Sequence, residues 1–379
     1  MKRKLLIVVT TEMTVRTFLF DHIKALSATY DVTVALNTDD PGFLRDMGVA
    51  NVQVVPIRIE RSIRPLSDLS CLAELWKLMR RQRFDLVFSV TPKGGLLGML
   101  AGFIARIPVR IHIFTGQVWV TKTGLLRTLL KSVDKLIGAL ATRLLTDSES
   151  QREFLSKEGV VPSSRSTVLA NGSICGVNLE RFRPDDQARK DIRAGLGLPA
   201  GAVVILFVGR LNRDKGVMDL AAAMRSLVQN GVKNINLLIV GPDEQGMRPD
   251  ILATCASFSE DVHFVDFTHQ PQSYMAAADI FCLPSYREGF GSVVIEAAAT
   301  GLPAVASRIY GLTDAVEEGE TGLLFEPGNV DELSACLQAL IIDAALRRRM
   351  GESALRRTVN LFAGPIVTRA LVAYFDDCK

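Results

Sequence analysis

Six cysteines (Cys71, Cys175, Cys255, Cys282, Cys336 and Cys378) are scattered along the chain with no C-x-x-C pair among them. That argues against a structural zinc site or a disulfide framework and fits a reducing compartment. No G-x-G-x-x-G follows the first apolar run, which weakens a nicotinamide-dehydrogenase reading. Long hydrophobic runs are missing too. "MKRKLLIVVTT" has a basic start but too few apolar residues for a secretory core of about 7–15, so it reads as a first strand. "GGLLGMLAGFIA" falls short of the ~20 residues of a membrane span. The expectation is a soluble or at most peripheral protein, without internal repeats or low-complexity tracts.

What is present is an ordinary globular composition, 48% hydrophobic and 22% charged, over 379 residues. That length exceeds what one core usually supports, so two domains are expected. The net charge of +3 hides an asymmetry. Residues 1–190 hold 28 Lys/Arg against 18 Asp/Glu (+10), and residues 191–379 hold 16 against 23 (−7). A basic first half points to an anionic surface or substrate there.

Strand-like runs alternate with helical ones. "KLLIVVT", "DVTVAL", "VQVVPI", "FDLVFSV" and "VRIHIF" are short and rich in Val, Ile and Phe. Between them, "LSDLSCLAELWKLMRRQR" repeats apolar residues at helical spacing. This βαβ alternation predicts a parallel sheet covered on both faces. The stretch around 175–200 is rich in Gly, Asn, Asp and Pro and reads as a linker. A second series follows: "VVILFVGR", "INLLIVG", "VHFVDF", "DIFCLPS", "PAVASR" and "TGLLFEP". The fold class is therefore α/β, two Rossmann-like doubly wound domains facing a central cleft. The expected boundaries are 1–185, 186–364 and a C-terminal segment 365–379 that could cross back to the first domain.

The second series places its informative residues at strand ends, where open α/β sheets bind ligands. "VVILFVGRLNRDKG" ends a strand at Gly209, then gives Arg210, Lys215 and Gly216 before a helix. Two cations and two glycines ahead of a helix N-terminus describe an anion site, with a solvated loop as the bland alternative. In "PSYREGFGSVVIEAAATG", Gly289 and Gly291 let the backbone approach a ligand, Glu288 sits in the loop, and Glu296 lies just inside the helix. Glu296 can accept bonds from a ribose diol, or simply place favourable charge near the helix start.

The combination of "GRLNRDKG", "DIFCLPSYREGFGSVVIEAAATGLPAVAS" and "EEGETGLLFEPGN" resembles the retaining family 4 glycosyltransferases of the GT-B fold. Glu288 and Glu296 match that family's E-x7-E signature. The resemblance implies that the second domain holds a nucleotide-sugar donor. Arg210 and Lys215 would bind its diphosphate, Glu296 the ribose hydroxyls and Glu288 the sugar, with backbone contacts from Gly289, Phe290 and Gly291. "TPKGGLLGMLAGFIARIPVRIHIFTGQVW" is similar to bacterial enzymes that build O-antigen, capsule or exopolysaccharide units on polyprenyl-diphosphate carriers. There His112 takes the position of a His near the reacting centre; a buried strand histidine with a satisfied ring is the equal alternative. The family often has a Gly-rich turn after the first strand. Here "TTEMTVRTF" has none, so Thr10, Thr11 and Arg16 stand in its place. Asp266 also departs from the family, where many relatives carry glycine. Gly94, Gly98 and Gly102 read as a helix packed close to its neighbours rather than as a phosphate cradle.

No two aspartates are spaced D-x-D, so the metal clamp of the other large glycosyltransferase fold is missing. The resemblance therefore implies metal-independent hexosyl or N-acetylhexosaminyl transfer with retention. It implies no cofactor, the nucleotide-sugar, a UDP-sugar, being a co-substrate. The implied partners are a polyprenyl-diphosphate-linked saccharide acceptor and an anionic membrane surface, with no nucleic acid. The implied location is the cytoplasm, peripheral on the inner membrane face. Arg58, Arg61, Arg64, Lys77, Arg80, Arg81 and Arg83 are the expected membrane-facing cations. Two other readings share the fold: a sugar-nucleotide epimerase and a non-catalytic sugar-nucleotide-binding subunit.

Overall fold

A computed structural model describes residues 2–60 and 64–378. Arg61 lies outside the described residues. The chain divides into two compact units, one of residues 1–175 with 364–379, the other of residues 176–363.

The first unit carries β1 (Lys4–Thr11), β2 (Asp31–Asn37), β3 (Val52–Pro56), β4 (Leu86–Val90), β5 (Val109–Phe114), β6 (Arg143–Thr146) and β7 (Ser166–Val168). They form one parallel sheet in the order β3-β2-β1-β4-β5-β6-β7. Alternation along β1 feeds two cores, because successive side chains of a strand point to opposite faces. Leu5, Ile7 and Val9 enter the core that α1 (Phe20–Thr29) covers with Ile23 and Leu26. Leu6 and Val8 enter the other core. There they meet α2 (Pro65–Gln82), α3 (Pro92–Ile104) and α4 (Gly124–Leu140) through Leu75, Met79, Leu97 and Ile137. Glycine brings α3 onto the sheet: a Cβ at Gly98 would lie 3.3 Å from Val8 Cβ, and one at Gly102 3.0 Å from Val87 Cγ1. The glycine stripe is thus a packing device.

The second unit carries β8 (Val203–Val208), β9 (Ile235–Val240), β10 (Val262–Val265), β11 (Ile280–Leu283), β12 (Ala304–Ser307) and β13 (Gly322–Phe325). The parallel order is β10-β9-β8-β11-β12-β13. Its strands β9, β11 and β12 are wholly buried, as a sheet covered on both faces requires. The division falls at 175/176, ten residues before the boundary expected at 185/186. Val177 bridges to Ala363 and donates its N–H to the Phe362 carbonyl at 2.7 Å, while Phe182 joins the second core. The last helix, α5 (Gly364–Asp376), belongs to the first unit. Its Phe375 meets Phe88 edge-on at 5.3 Å, and its Thr368 hydroxyl bonds His22 Nδ1 at 2.9 Å.

Candidate functional site

In the second sheet the chain runs outward from β8 through β9 to β10, then returns to lay β11 on the other side of β8. Loops leaving β8 and β11 therefore diverge to opposite faces, and an open α/β sheet forms its binding crevice at that reversal. The β8 loop contains Gly209, Arg210 and a tight turn at Arg213–Lys215. The β11 loop contains Ser285 to Gly291 and leads into α6 (Ser292–Ala299).

Glycine makes the two loops touch. Gly216 has φ +66°, and a Cβ there would overlap the Pro284 carbonyl oxygen. Around that contact Tyr286 N–H donates to the Asp214 carbonyl at 2.8 Å, and Arg287 pairs with the Asp214 carboxylate at 3.1 Å. The Tyr286 hydroxyl donates to Asp219 at 2.6 Å. Desolvation and this carboxylate push the Tyr286 phenol up to about 12. At the centre, Lys215 Nζ bonds Glu288 Oε1 at 2.5 Å, and the same oxygen accepts from Ser285 Oγ at 2.7 Å. Both side chains are largely covered, at 19% and 13% exposure, so the pair is weakly screened and geometrically fixed.

Arg210 stands at the rim, half-exposed, with Nη1 on both oxygens of Glu244 at 2.9 and 3.1 Å. Asn212 also donates to Glu244, at 3.0 Å. Gly209 is held by another close approach, since a Cβ at Gly241 would overlap the Gly209 carbonyl.

Helix α6 starts at Gly291, whose φ of +77° favours glycine and whose Cβ would strike Leu312. No side chain caps its first turn. The Gly289 carbonyl is approached so closely by Gly311 that a Cβ there would overlap it. Phe290 points its ring into the core, 5.3 Å from Phe362, so only its backbone faces the loop's surroundings. Glu296 is partly buried in α6, and desolvation pushes its carboxyl up to about 7 against the opposing pull of Arg181. Arg181 is fixed by the His269 carbonyl at 2.6 Å and by Gln272 at 3.0 Å.

In the first unit His112 is buried on β5, its Nδ1 2.8 Å from Ser89 Oγ and its ring edge-on to Phe114 at 4.7 Å. A Cβ at Gly95 would overlap the ring. Burial holds the imidazole down at about 3, so it is neutral at ordinary pH. Thr11 ends β1 and caps the turn that follows, its Oγ1 accepting from Thr14 N–H at 3.4 Å. That turn runs into a π-helical turn at Val15–Leu19, an irregularity frequent at functional sites. Arg16 is engaged by Glu12, with Nε on Oε1 at 2.7 Å. Thr10 is buried. Arg58 and Arg64 pair with Glu60 at 3.2 and 2.9 Å, while Lys77, Arg80, Arg81 and Arg83 line the exposed C-terminal end of α2. Asp266 now has a partner: it is exposed and pairs with Arg248 at 2.5 Å.

The structure thus joins Lys215 to Glu288 and sets Arg210, Gly209, Gly289, Gly291 and Glu296 on the same two loops and helix. His112 and Thr11 belong to the other unit. Glu244, Ser285, Asp214 and Arg181 were missed by sequence reasoning. Glu244 lies in "GPDEQG", a Gly/Pro turn at a strand end, which is the one signal that could have flagged it.

A parallel sheet that reverses between two loops, with an uncapped helix start beside the reversal, is the arrangement at which open α/β proteins bind ligands, and it places this chain in that class. Comparison with known proteins narrows the class. Residues 15–172 match the model of the glycosyl transferase 4-like domain, and residues 188–357 that of glycosyl transferases group 1. The chain is 29% identical over 324 residues to the capsular polysaccharide biosynthesis glycosyltransferase CapM of Staphylococcus aureus, spanning 85% of this chain and 84% of that protein. It is 26% identical over 306 residues to the UDP-Gal:alpha-D-GlcNAc-diphosphoundecaprenol alpha-1,3-galactosyltransferase of Escherichia coli, spanning 80% and 78%. The crystal structure of Anabaena Alr3699/HepE in complex with UDP superposes with a TM-score of 0.80 at 20% identity, over 100% of both chains. The chain belongs to the family 4 glycosyltransferases of the GT-B fold.

Proposed function

We propose that the protein moves a hexosyl or N-acetylhexosaminyl group from a UDP-sugar to a polyprenyl-diphosphate-linked saccharide, with retention, in bacterial surface polysaccharide synthesis. The observation that carries this reading is the Lys215–Glu288 pair locked between the two loops at the sheet reversal. The relatives from Staphylococcus aureus and Escherichia coli support the polysaccharide context, and the second supports the UDP-sugar and the lipid diphosphate.

Cleavage of the bond between the anomeric carbon and the diphosphate leaves positive charge on the sugar and negative charge on the nucleotide. In this reading Arg210, Lys215 and the uncapped N–H groups of α6 would receive that negative charge, a stabilisation that a metal supplies in other enzymes. Both cations are neutralised by glutamates here. A bound diphosphate would compete with Glu244 for Arg210 and with Glu288 for Lys215. Glu288, released from part of that pairing, would turn to the sugar hydroxyls; its role is orientation, not nucleophilic attack. Glu296, near its midpoint at pH 7, can both donate to and accept from a ribose diol. His112, neutral and buried on the interior strand β5, would act by orienting rather than as a cation.

The test is a panel of UDP- and GDP-sugars with a polyprenyl-diphosphate saccharide, in chelator, followed by stereochemical assignment of the product. Transfer from a UDP-sugar with retention is expected. Interconversion of the sugar without acceptor would replace the reading by an epimerase, and binding without turnover by a non-catalytic subunit.

A further inference from the structure

We propose that the Gly116 N–H is a hydrogen-bond donor to an oxygen of the acceptor substrate, and that Gln151 is the positioning residue that turns it outward. The inference rests on the proposed transfer to a polyprenyl-diphosphate-linked saccharide. Helix α7 (Glu149–Lys157) follows β6 and is capped by Ser148, whose hydroxyl accepts from Gln151 N–H at 3.1 Å. Ser148 and Gln151 have the S-x-x-Q spacing of a capping box, in which the glutamine reaches back to a backbone N–H with its oxygen alone. Here Gln151 Oε1 accepts from Asp147 N–H at 2.8 Å, so the amide nitrogen points the other way. That nitrogen donates to the Thr115 carbonyl at 2.7 Å and to Gln117 Oε1 at 3.2 Å. Gln117 Nε2 donates to the same carbonyl at 2.5 Å. Both glutamines are buried, so water does little to weaken these bonds. The cap requires none of the bonds to Thr115 and Gln117.

A trans peptide is planar, with its C=O and N–H on opposite sides. Because two buried amides draw in the Thr115 carbonyl, the N–H of Gly116 faces away from them. Gly116 is partly exposed, and among the described residues its N–H has no hydrogen-bond partner. As a glycine it has no side chain to shield that donor. The far end of the loop is pinned as well. Phe154, three residues along α7 from Gln151, stacks on Trp119 at 5.5 Å, and Trp119 Nε1 donates to Asp134 at 2.7 Å. The loop leaves the carboxyl end of β5, the strand that carries His112, at the edge where open α/β sheets receive ligands. A donor fixed in this way needs no reordering when an oxygen arrives. Saccharide hydroxyls and diphosphate oxygens both present the acceptor lone pairs that it requires.

The experiment follows hydrogen exchange at the Gly116 amide in the full chain carrying isotope-labelled glycine. The probes are GlcNAc-diphosphate on a short prenyl chain, GlcNAc on an uncharged alkyl chain, and UDP alone. The diphosphate acceptor should slow exchange at Gly116 at least about tenfold, and UDP alone should leave it unchanged. Slowing by the alkyl glycoside as well assigns the contact to the saccharide; slowing by the diphosphate compound only assigns it to the diphosphate. Slowing by neither overturns the inference, and that measurement needs no variant. Gln151→Glu keeps the oxygen that the cap uses but, when ionised, has no proton to donate to Thr115. It should raise the acceptor KM at least about tenfold while the donor KM stays within about twofold. Protonation restores a donor, so acceptor KM relative to wild type should recover as pH falls from about 7 to about 5. Asp147, raised to about 8, and His112, held down at about 3, stay neutral across that window. An unchanged acceptor KM, or no recovery in acid, overturns the positioning role, and so does a parallel loss of melting temperature and both KM values. Absence of transfer by wild type to the diphosphate acceptor overturns the proposed function and the inference with it. Transfer without protection at Gly116 overturns the inference alone.

Discussion

Two sheets of the same kind end in different chemistry. Both reverse direction beside their first strand, and both put a helix N-terminus after the returning strand. In the first unit that place is closed by packing: glycines seat α3 on β1, Ser89 engages His112, and Thr11 caps its own turn. In the second, glycines bring two loops together and leave Lys215, Arg210 and Glu288 where they meet. Net charge runs the other way. The first unit holds 26 Lys/Arg against 17 Asp/Glu (+9) and the second 18 against 24 (−6). The proposed anion site therefore lies in the acidic unit. Bulk charge speaks to long-range attraction, while a site's sign is set by the few groups that loops fix in place.

Removal of the central cation should have the largest effect. Lys215→Gln keeps a donor for Glu288 and should lower turnover a hundredfold or more, about 2.7–4 kcal/mol, with little change in melting temperature. The corresponding change at the first unit's rim, Thr11→Ala, should lose no more than a cap, about 1 kcal/mol of stability. Next is the loop contact. Gly216→Ala would force a Cβ into the Pro284 carbonyl in a left-handed conformation, costing about 1–3 kcal/mol and displacing Lys215 from Glu288. Thermal melting and turnover should fall together, whereas Gly124→Ala, also at positive φ but with open space, should cost only its backbone strain.

Acid–base linkage gives a third contrast. The Glu296 carboxyl is raised in the folded state from 4.5 to about 7. Its contribution to stability is complete below about pH 4.5 and is lost as pH rises to about 7, at most roughly 3 kcal/mol. Buried Asp147 and Asp134, raised to about 8 and about 6, slope in the same sense. His112, held down at about 3, slopes oppositely, losing stability as pH falls below its ordinary 6.5. Glu296→Gln should therefore flatten the loss between pH 4.5 and 7 without abolishing it, as read by melting across that range. The smallest effect is expected at Asp266→Asn, an exposed partner of Arg248, at about 0.2–1 kcal/mol.

Six apolar runs in the second half became β8 to β13, and five in the first half became β1 to β5. These runs were legible because buried parallel strands are continuous Val/Ile/Leu segments. β6 (Arg143–Thr146) and β7 (Ser166–Val168) are too short, and too polar at their ends, to carry that signal. Composition marked only the loop around 175–200; where the compact units divide within it depends on Val177 meeting Ala363, far along the chain. The candidate site shows the same limit. Glu288 and Glu296 stood out by spacing, and Lys215 by its glycine-flanked turn. That Lys215 and Glu288 bond each other, or that Glu244 holds Arg210, depends on Gly216 and Gly241 approaching backbone from other strands. Those approaches leave no local pattern to read.

If the Lys215–Glu288 junction is the donor clamp, it should govern sugar–diphosphate cleavage. Single-turnover transfer from a UDP-sugar, compared between wild type and Lys215→Gln of equal melting temperature, tests it most directly. A hundredfold or greater loss in the rate of sugar–diphosphate cleavage is the expected result; a rate within a few-fold of wild type would contradict it.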